Sequence, residues 1–144
     1  MTSKTIAFAC DHAGPALKNV LMALAEEWGY KTLNLGTDGP ESVDYPDFGV
    51  AMAKAIEDKE ADLGVLICGT GIGISIAANR NPNVRAALCH SGLTARLTRQ
   101  HNNANVLALG ARIIGEEVAI DCLKEFLNTE FEGGRHERRV NKLS

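Results

Sequence analysis

The stretch Cys68-Gly69-Thr70-Gly71-Ile72-Gly73 carries the strongest chemical signal in the chain. The apolar run Leu63-Gly64-Val65-Leu66-Ile67 precedes it and reads as a buried strand. Ile74 to Asn79 follow it and read as the start of a helix. A thiol therefore sits where a strand ends, directly before a glycine-rich turn. Bare backbone N–H groups in such a turn can surround an anion, and the helix N-terminus behind them adds positive potential. A base or nucleophile beside an anion cradle is a combination that packing alone does not require.

Other polar groups fall at equivalent places. Asp11-His12-Ala13-Gly14 follows a first strand, Asp44-Tyr45 follows a second across a longer loop, and His90-Ser91 follows a fourth. Gln100-His101-Asn102-Asn103 ends the next helix, and Arg112 lies just past a fifth strand. Singly each has a plainer reading. Asp11 suits a helix cap, and His101 suits a cation at a helix C-terminus. His90 and His136 read as surface residues. The Gly69–Gly73 turn lacks the lysine of a triphosphate loop and follows the third strand, where no dinucleotide fingerprint is expected. Arg135 and Arg139 are four apart and share one face of a helix, which is either solvated or grips a phosphate; Arg138 points elsewhere. Jointly the set offers a base, an imidazole, a cradle of amides and several arginines, with no metal-ligand spacing. These parts suit proton transfer next to a carbonyl on a small phosphorylated substrate.

The elements that must position them alternate. Thr5 to Ala9, Lys31 to Leu35, Leu63 to Ile67, Ala86 to Leu88 and Val106 to Leu109 read as strands. Between them lie helical stripes: Leu17, Val20, Leu21, Leu24 and Trp28, with Pro15 opening and Gly29 closing; then Phe48, Ala51, Met52, Ala55 and Ile56 after Pro46. Ser91 to Gln100 and Glu116 to Leu127 are further helices, and Cys122 sits on the apolar stripe of the last. The third strand is apolar at nearly every position, as a central parallel strand covered on both faces would be. The pattern predicts an α/β protein, an open parallel sheet with helices on both faces, whose ligands bind beyond the carboxyl ends of the strands. After Gly133-Gly134 a short basic helix is expected, too poor in apolar residues to hold itself by packing. It would dock on a partner subunit or close over an anionic ligand.

The chain has 144 residues, expected to form one domain spanning 1–144. With 45% hydrophobic and 23% charged residues it falls in the soluble globular class, and a net charge of −3 gives no pull toward nucleic acid or acidic membranes. No apolar run approaches the ~20 residues that span a bilayer. No charged-then-apolar leader is visible after Met1-Thr2-Ser3-Lys4, so a cytoplasmic location is expected. The four cysteines form no Cys-x-x-Cys pair, and reduced thiols are expected.

Six stretches together resemble ribose-5-phosphate isomerase type B, within the group that includes galactose-6-phosphate isomerase subunits. They are Cys10-Asp11-His12-Ala13-Gly14, Asp44-Tyr45-Pro46, Ile67 to Gly73, Ala77-Ala78-Asn79, Arg99-Gln100-His101-Asn102 and Glu132-Gly133-Gly134-Arg135-His136. They run in order over nearly the whole chain. The resemblance implies a Rossmann-like three-layer α/β/α sandwich around a five-stranded parallel sheet. It implies interconversion of D-ribose 5-phosphate and D-ribulose 5-phosphate, a step of the pentose phosphate pathway, with no metal and no organic cofactor. It implies homodimers or tetramers whose active sites are shared between subunits, with His101 and the C-terminal arginines coming from the neighbouring subunit and residues 133–144 reaching the partner.

By motif, Cys68 is similar to the base that moves a proton between C1 and C2. A second branch of the family uses a glutamate where this chain has Ile74. Gly69, Thr70, Gly71, Ile72 and Gly73 resemble the anion hole for the enediolate, and Thr70 counts with Cys68 and His101 among the catalytic residues. His101 resembles the ring-opening residue, and Asp11 and Tyr45 the lining of the sugar site. His12, Arg135 and Arg139 match phosphate-binding positions, helped by Asn102 and Arg112. A six-carbon sugar phosphate, such as allose 6-phosphate or galactose 6-phosphate, is the nearest alternative substrate. A non-catalytic sugar-phosphate binder would keep the cradle and the arginines but gain nothing from Cys68.

Overall fold

The apolar runs become strands, and each strand hands over to a helix. The structure, a computed structural model, describes residues 4–143; Met1–Ser3 and Ser144, the ends of the predicted leader-free start and of the C-terminal segment, lie outside the described residues. In chain order the elements are β1 (Thr5–Cys10), α1 (Pro15–Glu27), β2 (Lys31–Asn34), α2 (Tyr45–Glu57), β3 (Leu63–Cys68), α3 (Ile72–Asn79) and β4 (Ala86–Leu88). They continue with α4 (Gly92–Asn102), β5 (Val106–Gly110), α5 (Glu116–Asn128) and α6 (Arg135–Asn141). The expected elements are all present, with ends shifted by one or two residues. Tyr45 rather than Pro46 opens α2, and Ser91 caps α4 by accepting the Thr94 amide at 3.1 Å.

All five strands are parallel, in the order β2-β1-β3-β5-β4. Helices cover both faces, so the molecule is the expected three-layer α/β/α sandwich. β3 is the middle strand and every one of its six residues is buried. Strand residues alternate between the two faces. Phe8, Val65, Ile67, Leu107 and Leu109 pack against Leu21 of α1 and against Cys122, Leu123 and Phe126 of α5. Ala7, Ala9, Leu66, Cys68 and Ala108 pack against Met52 of α2 and against Ile74 and Ala78 of α3. Each large apolar side chain buried in this way contributes about 1.5–3 kcal/mol.

The second face is built from small residues, so α2 and α3 approach closely. A Cβ on Gly49 would lie 2.7 Å from Ala77 Cβ and 2.9 Å from the Ile74 carbonyl oxygen. α1 departs from its expected stripe. Its fully buried positions are Lys18, Leu21 and Ala25, while Trp28 is 38% exposed. The reason is position: α1 covers β1 and the four-residue edge strand β2, so only a narrow stripe finds cover.

The topology decides where chemistry can happen. The chain leaves β1 and β5 toward the α1/α5 face and leaves β3 toward the α2/α3 face. Neighbouring loops thus diverge at the carboxyl end of β3 and open a crevice there.

Candidate active site

Cys68 is the last residue of β3, and its side chain is 4% exposed among the residues under α2 and α3. The chain then turns within three residues into α3. Gly71 makes that turn at φ +79°, a left-handed conformation open to glycine and costly for other residues. Its amide donates to Cys68 Sγ at 3.1 Å, which fixes the direction of one sulfur lone pair. Thr70 Oγ1 accepts the Ile72 amide at 3.1 Å. Among the described residues the amides of Gly69, Thr70 and Gly73 meet no acceptor. They stand at the N-terminus of α3, where the helix dipole adds positive potential. The anion cradle expected from the glycines is therefore a set of uncommitted donors beside a sulfur atom.

Room for a side chain at Gly71 is absent as well. A Cβ there would sit 2.6 Å from Leu88 Cδ1 and 2.8 Å from the Leu109 carbonyl carbon. Gly71→Ala is expected to cost about 2–5 kcal/mol, the sum of left-handed strain and overpacking. Thermal unfolding would check it: a melting temperature equal to that of the parent protein would mean the turn tolerates a Cβ.

Three further elements wall the cleft. Asp11, directly after β1, is buried, and its Oδ1 accepts the Ala13 amide at 2.9 Å. Tyr45, at the start of α2, lies against Gly73, leaving no space for a Cβ there, and is 42% exposed. Arg112 follows β5; its amide donates to the Gly69 carbonyl at 2.9 Å, and its guanidinium lies over the Gly69 Cα. The open cleft between Asp11, Tyr45, Cys68, Thr70 and Gly73 holds about 430 Å³, enough for a phosphorylated pentose. His12 stands next to Asp11, with Nδ1 accepting the Val43 amide at 3.2 Å.

Cys68 lines that cleft, and the other three cysteines do not. Burial pushes Cys10 up to about 11 and Cys122 up to about 12, and it also raises Cys89. All four cysteines are free.

His101 and Asn102 are elsewhere. α4 begins beyond the carboxyl end of β4 and returns to the start of β5, so it runs antiparallel to the strands. Its 11 residues span about 16 Å and carry His101 and Asn102 to the amino ends of the strands. α5 descends in the same way and delivers α6 to that end, where the Glu132 amide donates to the Gln100 carbonyl at 3.1 Å. A second cavity of about 280 Å³ lies between His101, Asn102, His136 and Arg139. It shares no residue with the cleft around Cys68. Arg135 and Arg139 are both exposed on α6, whose inward residues are His136 and Val140. The expected site residues thus divide into two sets at opposite ends of the sheet.

Two residues of the second set were not apparent in the sequence. His136 is buried rather than on the surface: it stacks on His101 with ring centroids 4.4 Å apart, and its Nε2 lies 3.4 Å from Glu132 Oε1. Arg99 is buried and donates to the carbonyls of Thr129 and Ala104 at 3.1 and 2.6 Å, tying the end of α4 to the chain beyond α5. His101, Glu132 and His136 bring their ligand atoms within 4.8 Å of one another, a grouping invisible in the spacing. The two rings are nearly parallel, 17° apart, so their in-plane lone pairs lie in two nearly parallel planes.

Residues 6–143 match the Ribose/Galactose Isomerase family. The chain is 45% identical over 141 residues to ribose-5-phosphate isomerase B of Escherichia coli, covering 98% of this chain and 95% of that protein. The crystal structure of a ribose 5-phosphate isomerase from Thermotoga maritima superposes with a TM-score of 0.95 at 48% identity, over 99% of this chain and 98% of that one. Ribose-5-phosphate isomerase B of Mycoplasma genitalium, solved with bound ribulose-5-phosphate, gives 0.93 at 41% identity, over 99% and 95%.

Proposed function

The chain belongs to the ribose/galactose isomerase family, and from that premise we propose that it interconverts D-ribose 5-phosphate and D-ribulose 5-phosphate through a cis-enediolate, without metal or organic cofactor. That it is a sugar-phosphate isomerase follows from the family and from relatives that match over 94–95% of their length. The observation that carries the finer reading is the Cys68 sulfur set beside a turn in which the amides of Gly69, Thr70 and Gly73 have no acceptor among the described residues.

The ring-closed sugar must first open. His101 moves a proton between the ring oxygen and the anomeric hydroxyl, a task suited to imidazole near neutral pH. Cys68, as thiolate, then takes the proton from C2 of the open aldose. The C2–H electron pair becomes the C1=C2 double bond, and the carbonyl pair moves onto O1. The amides of Gly69, Thr70 and Gly73 stabilise that oxygen, each preorganised donor by about 3–4 kcal/mol. The Cys68 thiol returns its proton to C1, the O2 proton passes to O1, and a ketone is left at C2. Gly71 and Ile72 hold the turn in shape. Asp11 and Tyr45 line the sugar, and His12, Arg135 and Arg139 take the phosphate with Asn102 and Arg112. Anchoring the phosphate orients the reacting carbons, which is itself catalytic.

His101 and Cys68 belong to opposite ends of the sheet in one chain, so this reading requires two copies, a homodimer or a larger assembly with shared sites. The surface beside the cleft suits such a contact: Val50, Ile72 and Ile76 are each more than half exposed on α2 and α3. Residues 133–143, with α6, would then lie against the partner. No helix among the described residues is long and apolar enough to cross a membrane, and with four free thiols a cytoplasmic enzyme is the reading we favour.

Steady-state assays with D-ribose 5-phosphate and D-allose 6-phosphate, each with EDTA, test this. Turnover of the five-carbon sugar that resists EDTA is the expected result. Loss with EDTA would remove the cofactor-free mechanism, preference for the six-carbon sugar would change the substrate, and inactivity on both would sink the reading.

A further inference from the structure

Lys18 occupies the most buried stripe of α1, where the pattern calls for an apolar residue, and it is 0% exposed. Its ammonium has three protons and three acceptors: Asn34 Oδ1 at 2.7 Å, the Thr37 carbonyl at 2.8 Å and Asp38 Oδ1 at 2.9 Å. These acceptors also bind one another's neighbours. Asn34 Nδ2 donates to Asp38 Oδ1 at 2.9 Å, and Asn34 Oδ1 accepts the Gly36 amide at 2.9 Å. The network fixes the start of the segment that joins β2 to α2. That segment, residues 35–44, is mostly polar or turn-forming and has little apolar surface to hold it.

The two ends of the segment touch the candidate site. At its start, the Cys10 amide donates to the Gly36 carbonyl at 2.7 Å and the Thr37 amide to the Cys10 carbonyl at 2.8 Å, one residue before Asp11. At its end, the Val43 amide donates to His12 Nδ1, and Tyr45 opens α2 against Gly73. A buried charge is a costly way to hold a loop unless its geometry is needed. We propose that Lys18 is a positioning residue for the isomerase site: it holds the β2–α2 segment in register with the end of β1 and so sets where His12 and Tyr45 meet the substrate. This rests on the functional reading above, in which those two residues contact the sugar and its phosphate. Lys18 itself touches no substrate, being sealed behind the loop.

Lys18→Met keeps the buried stem and removes the three donors. With D-ribose 5-phosphate, KM is expected to rise by about tenfold or more while kcat stays within about threefold, because contacts shared by ground and transition states are loosened. Amide hydrogen exchange is expected to speed up across residues 36–44 and not in β3. A purely structural role would lower stability and leave the KM of the folded fraction unchanged, and that result would overturn the proposal. Should Lys18→Met not fold, Asp38→Ala, on the exposed side of the same network, is expected to raise KM in the same direction by a smaller factor. A parental KM in that variant would count against Lys18 equally. If the parent protein isomerises no sugar phosphate, the functional reading fails on its own, while unchanged exchange in residues 36–44 would still refute the anchoring.

Discussion

Cys68→Ala is expected to lower kcat by about 10³-fold or more, the range set by loss of a positioned acid–base group. The substitution removes only the sulfur from a side chain that is almost wholly buried, so the strand and the turn should persist. What disappears is the atom that, in the proposed mechanism, takes the C2 proton and returns it to C1. Affinity for a phosphorylated sugar alcohol that cannot isomerise should stay within about threefold, since phosphate and hydroxyl contacts come from other residues. Turnover close to that of the parent enzyme would mean that another group is the base. Cys10, Cys89 and Cys122 stand outside the cleft that Cys68 lines.

A heterodimer of one Cys68→Ala chain and one His101→Asn chain, purified by two different tags, is expected to run at about half the parent rate. The reasoning is geometric. Cys68 and His101 stand at opposite ends of the sheet, in cavities with no common residue. If a site takes Cys68 from one copy and His101 from the other, the mixed pair has one site with both groups intact and one with neither. Each mutant alone carries two damaged sites. A mixed species as slow as either single mutant would overturn the shared-site reading.

Much of this was legible before any coordinates. The strands could be read because parallel strands buried on both faces are apolar at nearly every position, as Leu63 to Cys68 shows. The turn after β3 could be read because glycine has few other reasons to recur beside a strand end. Separation of the two sets of site residues is implied by the family resemblance, which puts His101 and the C-terminal arginines on the neighbouring subunit, and not by the residue spacing. It depends on the order β2-β1-β3-β5-β4 and on the direction of α4, and the spacing of Cys68 and His101 is silent on both. His136 reads as a surface residue because α6 has only two inward positions, too few for a periodic pattern. Lys18 was hidden among Leu17, Val20 and Leu21: a stripe reads as apolar even when one member is charged, and its three acceptors come from a different part of the chain.

The placing of Cys68 on β3 has a consequence for how the enzyme fails. β3 is paired on both edges and covered on both faces, so its hydrogen bonds open only when most of the molecule opens. The proposed base and the amides behind it therefore share the fate of the whole cooperative unit. Heating should not blunt this half of the site by degrees while the fold survives; Cys68 keeps its place until the sheet itself melts.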